Sequence, residues 1–487
     1  MQAKIIRDFP ISGNIVLFFF GIFGFSLFFL LSFYIFSVLF GSDAIFYFLA
    51  VFVLAVLGSF LFLFALKAPY LCLVAALILN YNPYYVYLIF TNLLSYGIVR
   101  VAISSFFILL LSFGIFLKFF FHGKIKRAKT PLDLPLLIFL IFPLFATAVG
   151  FWQGNSIRLI GDKLFPIIEF IAYFFLATII LQNKKQAIFV LKSILAWLIF
   201  IGAGAVLFYL FAFELLAARS LPAGITLYRL YDFMSAIALP LLIGLYFYPS
   251  SAKIKTLNKK RLFILSFSFV PLFSLTLSFF RSLWMGIAGA LIFVFLMCWR
   301  EKGHFKAILL ALVLFSILFF SADFFFFSRT QMFGGVSLSQ IFYERAFHSL
   351  ERTIYTDAVY YRLEQIPFLL NIIYQSPLTG IGFGSELTDS ISNYYLGVAA
   401  MMGLPALFFL FWLMFILMKS GLKIFRQVEG VDKGWVLGIL ASFVSVALLI
   451  ASFPAVLHFP IPAYLGFLGA CLFIFQPKNY GPIHKRN

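Results

Sequence analysis

Long apolar runs alternate with short polar segments along the whole chain. Fourteen of these runs are about 17–28 residues long, the length that an α-helix needs to cross a hydrocarbon core about 30 Å thick. The runs are 14–40, 44–66, 69–90, 96–121, 132–150, 164–182, 186–213, 231–249, 262–280, 283–299, 307–327, 392–418, 434–457 and 461–476. Because they lack period-two alternation, they predict helices rather than barrel strands. We therefore predict an all-α polytopic membrane protein with about 14 transmembrane helices and a single integral membrane domain, residues 1–487.

The composition supports a membrane protein. The 487 residues are 64% hydrophobic and 11% charged, which leaves too little polar surface to cover a water-soluble fold. The first run, 14–40, is longer than a signal-peptide core and lacks a small-residue cleavage site after it, so we expect a retained span. The three cysteines, Cys72, Cys298 and Cys471, lie far apart, which favours neither a disulfide framework nor a metal site.

The formal charge of +19 is mainly an orientation signal. With the N-terminus placed in the cytoplasm, the segments predicted to be cytoplasmic contain 26 Lys and Arg residues, and the outer face contains ten. This distribution follows the positive-inside rule, so the charge gives no reason to expect a nucleic-acid partner. Both termini are predicted to be cytoplasmic.

The two faces also differ in the kind of basic residue they use. Nine of the ten outer basic residues are Arg, whereas twenty of the 26 inner ones are Lys. Arginine forms a planar, bidentate fork on phosphate, while lysine acts as a hydrated point charge. The outer face is therefore the candidate phosphate-binding face.

One outer loop, residues 328–391, is much longer than the others. Apolar residues recur at helical spacing within 339–353 and 356–375, which predicts two amphipathic helices on the outer membrane surface. In the second of these the apolar positions include Val359, Leu363, Ile366, Leu370 and Ile373.

The segment after these helices contains Gly380, Gly382 and Gly384. A dinucleotide fingerprint needs G-x-G-x-x-G between a strand and a helix, and this segment has neither the spacing nor the preceding strand. Glycines that let the chain turn tightly and re-enter the bilayer at Tyr394 are the better explanation.

Several other polar residues have a structural interpretation beside a functional one. An Arg near a span end, such as Arg100, Arg229 or Arg281, is by itself as consistent with an interfacial anchor as with a ligand site. Glu169, inside the run 164–182, is either a functional intramembrane acid or the partner in a buried hydrogen bond to a neighbouring helix.

The polar "NYNP" stretch, 80–83, predicts a kink in the third span. The five histidines are scattered, so we expect no metal ion and no other cofactor at the outer face.

Two segments together resemble the O-antigen ligase and polymerase family. The first is "SLTLSFFRSLWMGIAGALIFVFL", which contains Arg281. The second is "RLEQIPFLLNIIYQSPLTGIGFGSEL…SNYYLGVAAMMGLPALFFLFW", with Arg362, P-L-x-G-x-G-x-G, N-x-Y-L and a Gly-Leu-initiated span. They cover residues 270–418, and Arg229 in "ITLYRLYDFMSAIALP" is similar to the family's earlier outer-loop arginine.

The resemblance implies a glycosyltransferase-C-like fold in the bacterial inner membrane. It also implies a metal-independent, inverting glycosyltransferase that takes a glycan from undecaprenyl diphosphate at the outer face and passes it to a glycan or lipid acceptor. This activity belongs to O-antigen, lipopolysaccharide or exopolysaccharide synthesis.

The resemblance also suggests residue roles. Arg281, Arg362 and Arg229 would hold the diphosphate. Many family ligases carry His immediately before the Asn of N-x-Y-L, where this chain has Ser392. Glu386 and Asp389 are then the available bases, and Asn393 beside them is the third candidate catalytic residue. The missing His favours a polymerase over a lipid A core ligase.

Two other classes of function remain open at this stage. Fourteen spans also suit a transporter, such as a flippase for lipid-linked oligosaccharides. A non-catalytic assembly protein of the membrane is the third possibility, and it would need no arginine-lined cavity.

Overall fold

The computed structural model describes residues 66, 68–80, 96–122, 127, 129–217, 234–248, 259–278, 281–299, 357–385, 393–452 and 461–477. These residues contain thirteen α-helices and no strand. The helices are α1 (Pro69–Asn80), α2 (Tyr96–His122), α3 (Asp133–Trp152), α4 (Ile157–Ile180), α5 (Lys184–Ala217), α6 (Ser235–Phe247), α7 (Lys259–Ser278), α8 (Arg281–Cys298), α9 (Asp357–Gln375), α10 (Tyr394–Met402), α11 (Leu404–Gln427), α12 (Gly430–Ser452) and α13 (Ile461–Ile474).

By its internal contacts the chain divides into two units, Met1–Cys72 and Leu73–Asn487. In the first unit the structure describes residue 66 and residues 68–72, where the Ala68 carbonyl accepts a hydrogen bond from the Leu71 N–H at 2.9 Å. The description below concerns the second unit.

The protein is helical and has helices suited to a membrane. In the described residues five helices, α3, α4, α5, α11 and α12, are long and apolar enough to cross a bilayer. Six shorter apolar helices accompany them. The predicted runs 14–40 and 307–327, and all of 44–66 but its last residue, lie outside the described residues, so the number of fourteen spans remains a prediction.

Helix α12 is the most deeply buried of the long apolar helices, with 72% of its span window inside the protein. It packs against α6 through glycines on both helices: a Cβ on Gly438 would lie 2.7 Å from Cα of Leu241, and one on Gly244 would overlap the Gly434 carbonyl. On α8, a Cβ on Gly286 would lie 2.6 Å from the Ser445 carbonyl oxygen. Small residues let these backbones approach, which is how helices commonly associate in membranes.

Helix α4 begins earlier than hydropathy predicts. The apolar run starts at 164, but the helix starts at Ile157 and includes the polar stretch from Arg158 to Lys163. Glu169 therefore lies twelve residues from the helix start, about 18 Å at 1.5 Å per residue.

The predicted span 392–418 is two helices rather than one. Helix α10 ends at Met402 and α11 begins at Leu404, with Gly403 between them at φ 86°. The prediction was wrong here because the run is apolar throughout, and hydropathy carries no signal for a break in the backbone.

Helix α9 confirms the predicted helix at 356–375, but not all of the predicted apolar face packs on protein. Leu369, Ile372 and Ile373 are buried, and they form a cluster with Ala399 and Ala400 of α10. The predicted face positions Ile366 and Leu370 are exposed. The other predicted amphipathic helix, 339–353, lies outside the described residues.

Candidate functional site

The segment Ser376–Ser385, called here the glycine junction, connects α9 to the ends of three other helices. Gly380, Gly382 and Gly384 have φ values of 65°, 76° and 79°. Residues with a side chain rarely adopt this left-handed region, so the path of the junction depends on glycine at all three positions.

One side of the glycine junction is bonded to the α10–α11 break. The N–H groups of Ile381 and Gly382 donate to the carbonyls of Ala400 and Met401 at 2.9 and 3.0 Å. In return, the Leu404 N–H donates to the Pro377 carbonyl at 2.8 Å. These bonds use polar groups that the helix ends leave without an intrahelical partner, and they explain why the chain breaks at this point.

The backbones of the glycine junction and of the α10–α11 break also approach each other closely. A Cβ on Gly403 would overlap the Leu378 carbonyl, and one on Gly380 would overlap the backbone of Met401. The junction and the helix break therefore fit together only with glycine at both positions.

The other side of the junction is bonded to α3 and to the turn between α3 and α4. The Phe383 N–H donates to the Ala146 carbonyl at 3.0 Å, and the Asn155 side-chain amide donates to the Phe383 carbonyl at 2.8 Å. The Phe383 side chain is 1% exposed. A Cβ on Gly150 would overlap the Phe383 carbonyl. Phe383 is thus held by both its backbone groups and its ring.

These bonds bear on the resemblance of the segment to a nucleotide-binding loop. Four successive N–H groups, those of residues 380–383, all donate to backbone carbonyls of the protein. A phosphate-binding loop needs such N–H groups free to point at the ligand. The structure agrees with the prediction of a tight turn, and α10 begins at Tyr394, where re-entry was predicted.

Asn393 has a defined structural position. It is the N-cap of α10, where its side-chain oxygen accepts a hydrogen bond from the Leu396 N–H at 3.1 Å. Tyr395 also holds the first turn of α10, because its hydroxyl donates to the Ala447 carbonyl of α12 at 2.9 Å. Asn393 therefore determines where α10 starts.

The remaining predicted site residues are placed only in part. Arg281 is the first residue of α8, and Arg362 lies in the second turn of α9; the structure describes their backbones. Arg229, Glu386 and Asp389 lie outside the described residues. Convergence of the three arginines on one cavity stays a prediction.

The structure brings to this region residues that the sequence did not connect with it. A Cβ on Gly384 would lie 3.0 Å from the Ile160 nitrogen and 3.2 Å from Cβ of Asn155. The exposed Arg158 is two residues from Ile160, at the start of α4. Sequence spacing carries no signal for these neighbours, since Asn155 and Phe383 are 228 positions apart.

Glu169 lies at a separate place, inside the helix bundle. It is 0% exposed, and the Ser104 hydroxyl of α2 donates to one of its carboxylate oxygens at 2.7 Å. Tyr173, one turn further along α4, is also fully buried. Of the two interpretations of Glu169, the buried hydrogen bond to a neighbouring helix is observed.

Comparisons with known proteins do not assign the chain to a family. No family model matches it, and a comparison with curated proteins gives no significant match. The resemblance to O-antigen ligases and polymerases therefore rests on the motif residues quoted above.

Proposed function

We propose that the protein transfers or polymerises a glycan carried on undecaprenyl diphosphate at the outer face of the bacterial inner membrane. The supporting observation is the glycine junction. Its bonds to α3, α10 and the α10–α11 break hold the P-L-x-G-x-G-x-G segment rigidly against three helices. The residues that follow it in sequence, 386–392, carry the candidate bases and precede the α10 cap at Asn393.

The proposed reaction combines attack by an acceptor hydroxyl, transfer of its proton and departure of the lipid diphosphate. A hydroxyl of the acceptor attacks the anomeric carbon from the face opposite the diphosphate, and the carbon–oxygen bond to the diphosphate breaks. The hydroxyl proton passes to Glu386 or Asp389, since Ser392 is not a base at ambient pH. The undecaprenyl diphosphate leaves with the electron pair of the broken bond, so the negative charge on the diphosphate increases as the bond lengthens.

Fixed arginine forks suit that leaving group. Arg281, Arg362 and Arg229 would stabilise the developing charge without a metal ion, because preformed donors act strongly in a site with little water. Arg158 is a further candidate for the same anion, since it is exposed on the turn of α4 that contacts Gly384 through Ile160.

Asn393 takes a positioning role in this proposal. An amide is not a base, and its oxygen already caps α10. Asn393 fixes the first turn of α10, directly after the sequence segment that carries the candidate bases.

A deletion strain tests the proposed function and distinguishes its two forms. If the protein is a polymerase, the strain accumulates single glycan repeats on the lipid carrier; if it is a ligase, polymer accumulates on the carrier. Normal mature glycan with no accumulated intermediate would rule out both forms. Lipid-linked repeats trapped on the cytoplasmic side would instead indicate a flippase.

A further inference from the structure

One face of α11 is exposed along most of the helix. Between residues 404 and 423 the exposed positions follow one another at spacings of three or four: Leu404, Phe408, Phe411, Phe415, Lys419 and Lys423. Residues at this spacing lie on the same face of an α-helix. Among the five span-length helices of the described residues, α11 is the least buried, with 22% of its span window inside the protein. This face is therefore open to the bilayer.

The chemistry of the exposed face changes along the helix. Phe408, Phe411 and Phe415 form an aromatic row, and Lys419 and Lys423 continue the same row toward the helix end. The Lys419 Nζ lies 5.7 Å from the ring centroid of Phe415, which is within range of a cation–π interaction. The two lysines therefore share one face with the rings and begin where the rings end.

The charges of Lys419 and Lys423 are not neutralised by the protein. Within the part of the chain that the structure describes, neither lysine pairs with a carboxylate, and α11 itself contains no acidic residue. Two other basic residues predicted to be cytoplasmic do have carboxylate partners, since Arg127 pairs with Asp133 and Lys184 with Asp432. The end of the α11 face is thus free to attract an anionic group.

The length of the aromatic row matches one leaflet of a bilayer. From Phe408 to Lys419 the helix rises about 16 Å at 1.5 Å per residue, close to half of a hydrocarbon core about 30 Å thick. A lysine at the end of such a row can lay its apolar stem along the acyl region and place its ammonium group among the headgroups.

The side chains of this face favour a lipid over a second helix. Membrane helices associate mainly through small residues, which let their backbones approach. On α11 small residues lie on the protein side: Ala406 is buried, and a Cβ on Gly421 would overlap the Leu440 side chain of α12. The exposed face carries only leucine, phenylalanine and lysine between residues 404 and 423.

We propose that the exposed face of α11 binds an anionic phospholipid in the leaflet predicted to be cytoplasmic. Its phosphate contacts the ammonium groups of Lys419 and Lys423, and its acyl chains lie along Phe408, Phe411 and Phe415. Basic residues placed just beyond the apolar part of a membrane helix attract anionic lipids in this way.

Binding is measured on the full-length protein, purified in neutral detergent and delipidated. Native mass spectrometry counts bound phosphatidylglycerol, with phosphatidylcholine as the zwitterionic comparison. We expect saturable binding of phosphatidylglycerol and weaker binding of phosphatidylcholine. Equal affinities for the two lipids would overturn the proposal, because the headgroup charge would then contribute nothing.

The double variant Lys419→Gln/Lys423→Gln should bind phosphatidylglycerol about 25-fold more weakly, because each basic residue near an anionic headgroup contributes about fivefold. Lys129→Gln/Lys185→Gln is the charge-matched control: both residues are exposed and predicted to be cytoplasmic, but they lie on separate segments. Lys419→Arg/Lys423→Arg keeps both charges and should retain binding. The same loss of affinity in the two glutamine variants would overturn the proposal.

The same spectra test whether a second copy of the chain covers this face instead. Phe408→Ala should leave the number of chains per particle unchanged. A wild-type dimer that becomes a monomer in the Phe408→Ala variant would assign the face to a protein interface and overturn the lipid site.

Discussion

The side-chain amide of Asn155 donates to the backbone carbonyl of Phe383 at 2.8 Å, which joins two residues 228 positions apart. This bond connects the turn between α3 and α4 to the glycine junction. Because the Phe383 N–H also donates to the Ala146 carbonyl, the junction is bonded both to α3 and to the turn that follows α3.

Asn155→Ala should destabilise the protein by about 1–3 kcal/mol, because it leaves the Phe383 carbonyl without its side-chain donor. Thermal unfolding in detergent measures the effect as a lower Tm. Asn371→Ala is the control, since Asn371 is exposed on α9. Equal Tm values for the two variants would mean that the Asn155 bond contributes nothing to stability.

Gly150→Ala should destabilise the protein by about 1–3 kcal/mol or more, because the added Cβ overlaps a backbone carbonyl that cannot rotate away. Gly161→Ala on α4 is the matched control: no atom lies within 4 Å of its added Cβ. There the gain in helix propensity should raise stability by about 0.5–1 kcal/mol. If both substitutions shift the unfolding temperature in the same direction, the close approach of Gly150 to Phe383 is not a stability determinant.

Substitutions of Asn393 separate its cap from any direct role in the reaction. Asn393→Ala should cost about 1 kcal/mol of stability and lower glycan transfer, because α10 loses its N-cap. Asn393→Asp and Asn393→Ser keep a cap oxygen, so both should retain stability and most of the transfer activity. Loss of activity in the Asp and Ser variants at unchanged Tm would show that the amide itself takes part in the reaction.

Glu169→Gln tests the structural interpretation of the buried acid. A Gln oxygen can still accept from Ser104, so the variant should keep folding and activity, whereas Glu169→Leu removes the acceptor and should lower Tm. The measurements are Tm and glycan transfer on the same preparations. A Glu169→Gln variant that folds normally but is inactive would assign the carboxyl group a function.

Within the described residues, a helix could be placed from the sequence where a single apolar run has the length of a membrane span. The run 132–150 corresponds to Asp133–Trp152, because a span must be apolar over the thickness of the bilayer. The start of α4 did not follow, since its first turns carry Arg158 and Lys163 and hydropathy detects only the apolar part of a helix. The break at Gly403 depends on a bond between Leu404, the first residue of α11, and Pro377 in the glycine junction, and these residues are distant in sequence.

The candidate site was predictable to the extent that it depends on local chemistry. Gly380, Gly382 and Gly384 are a local signal, and they indicated a tight turn before re-entry at Tyr394. The N-cap role of Asn393 was not predicted, because that residue was placed among the candidate catalytic groups. The partners of the turn, Ala146 and Asn155, are set by the tertiary fold. No pattern within one sequence segment encodes such neighbours.

The most direct test of the proposed function is transfer by the purified protein. It is incubated with undecaprenyl-diphosphate-linked glycan and acceptor in the presence of EDTA, and the new glycan and released undecaprenyl diphosphate are measured. We predict transfer by the wild type, a fall of about 10²-fold or more in Arg281→Lys and Arg362→Lys, and normal transfer in the exposed control Arg426→Lys. Absence of a new glycosidic bond with folded wild-type protein, or wild-type rates in both arginine variants, would contradict the account.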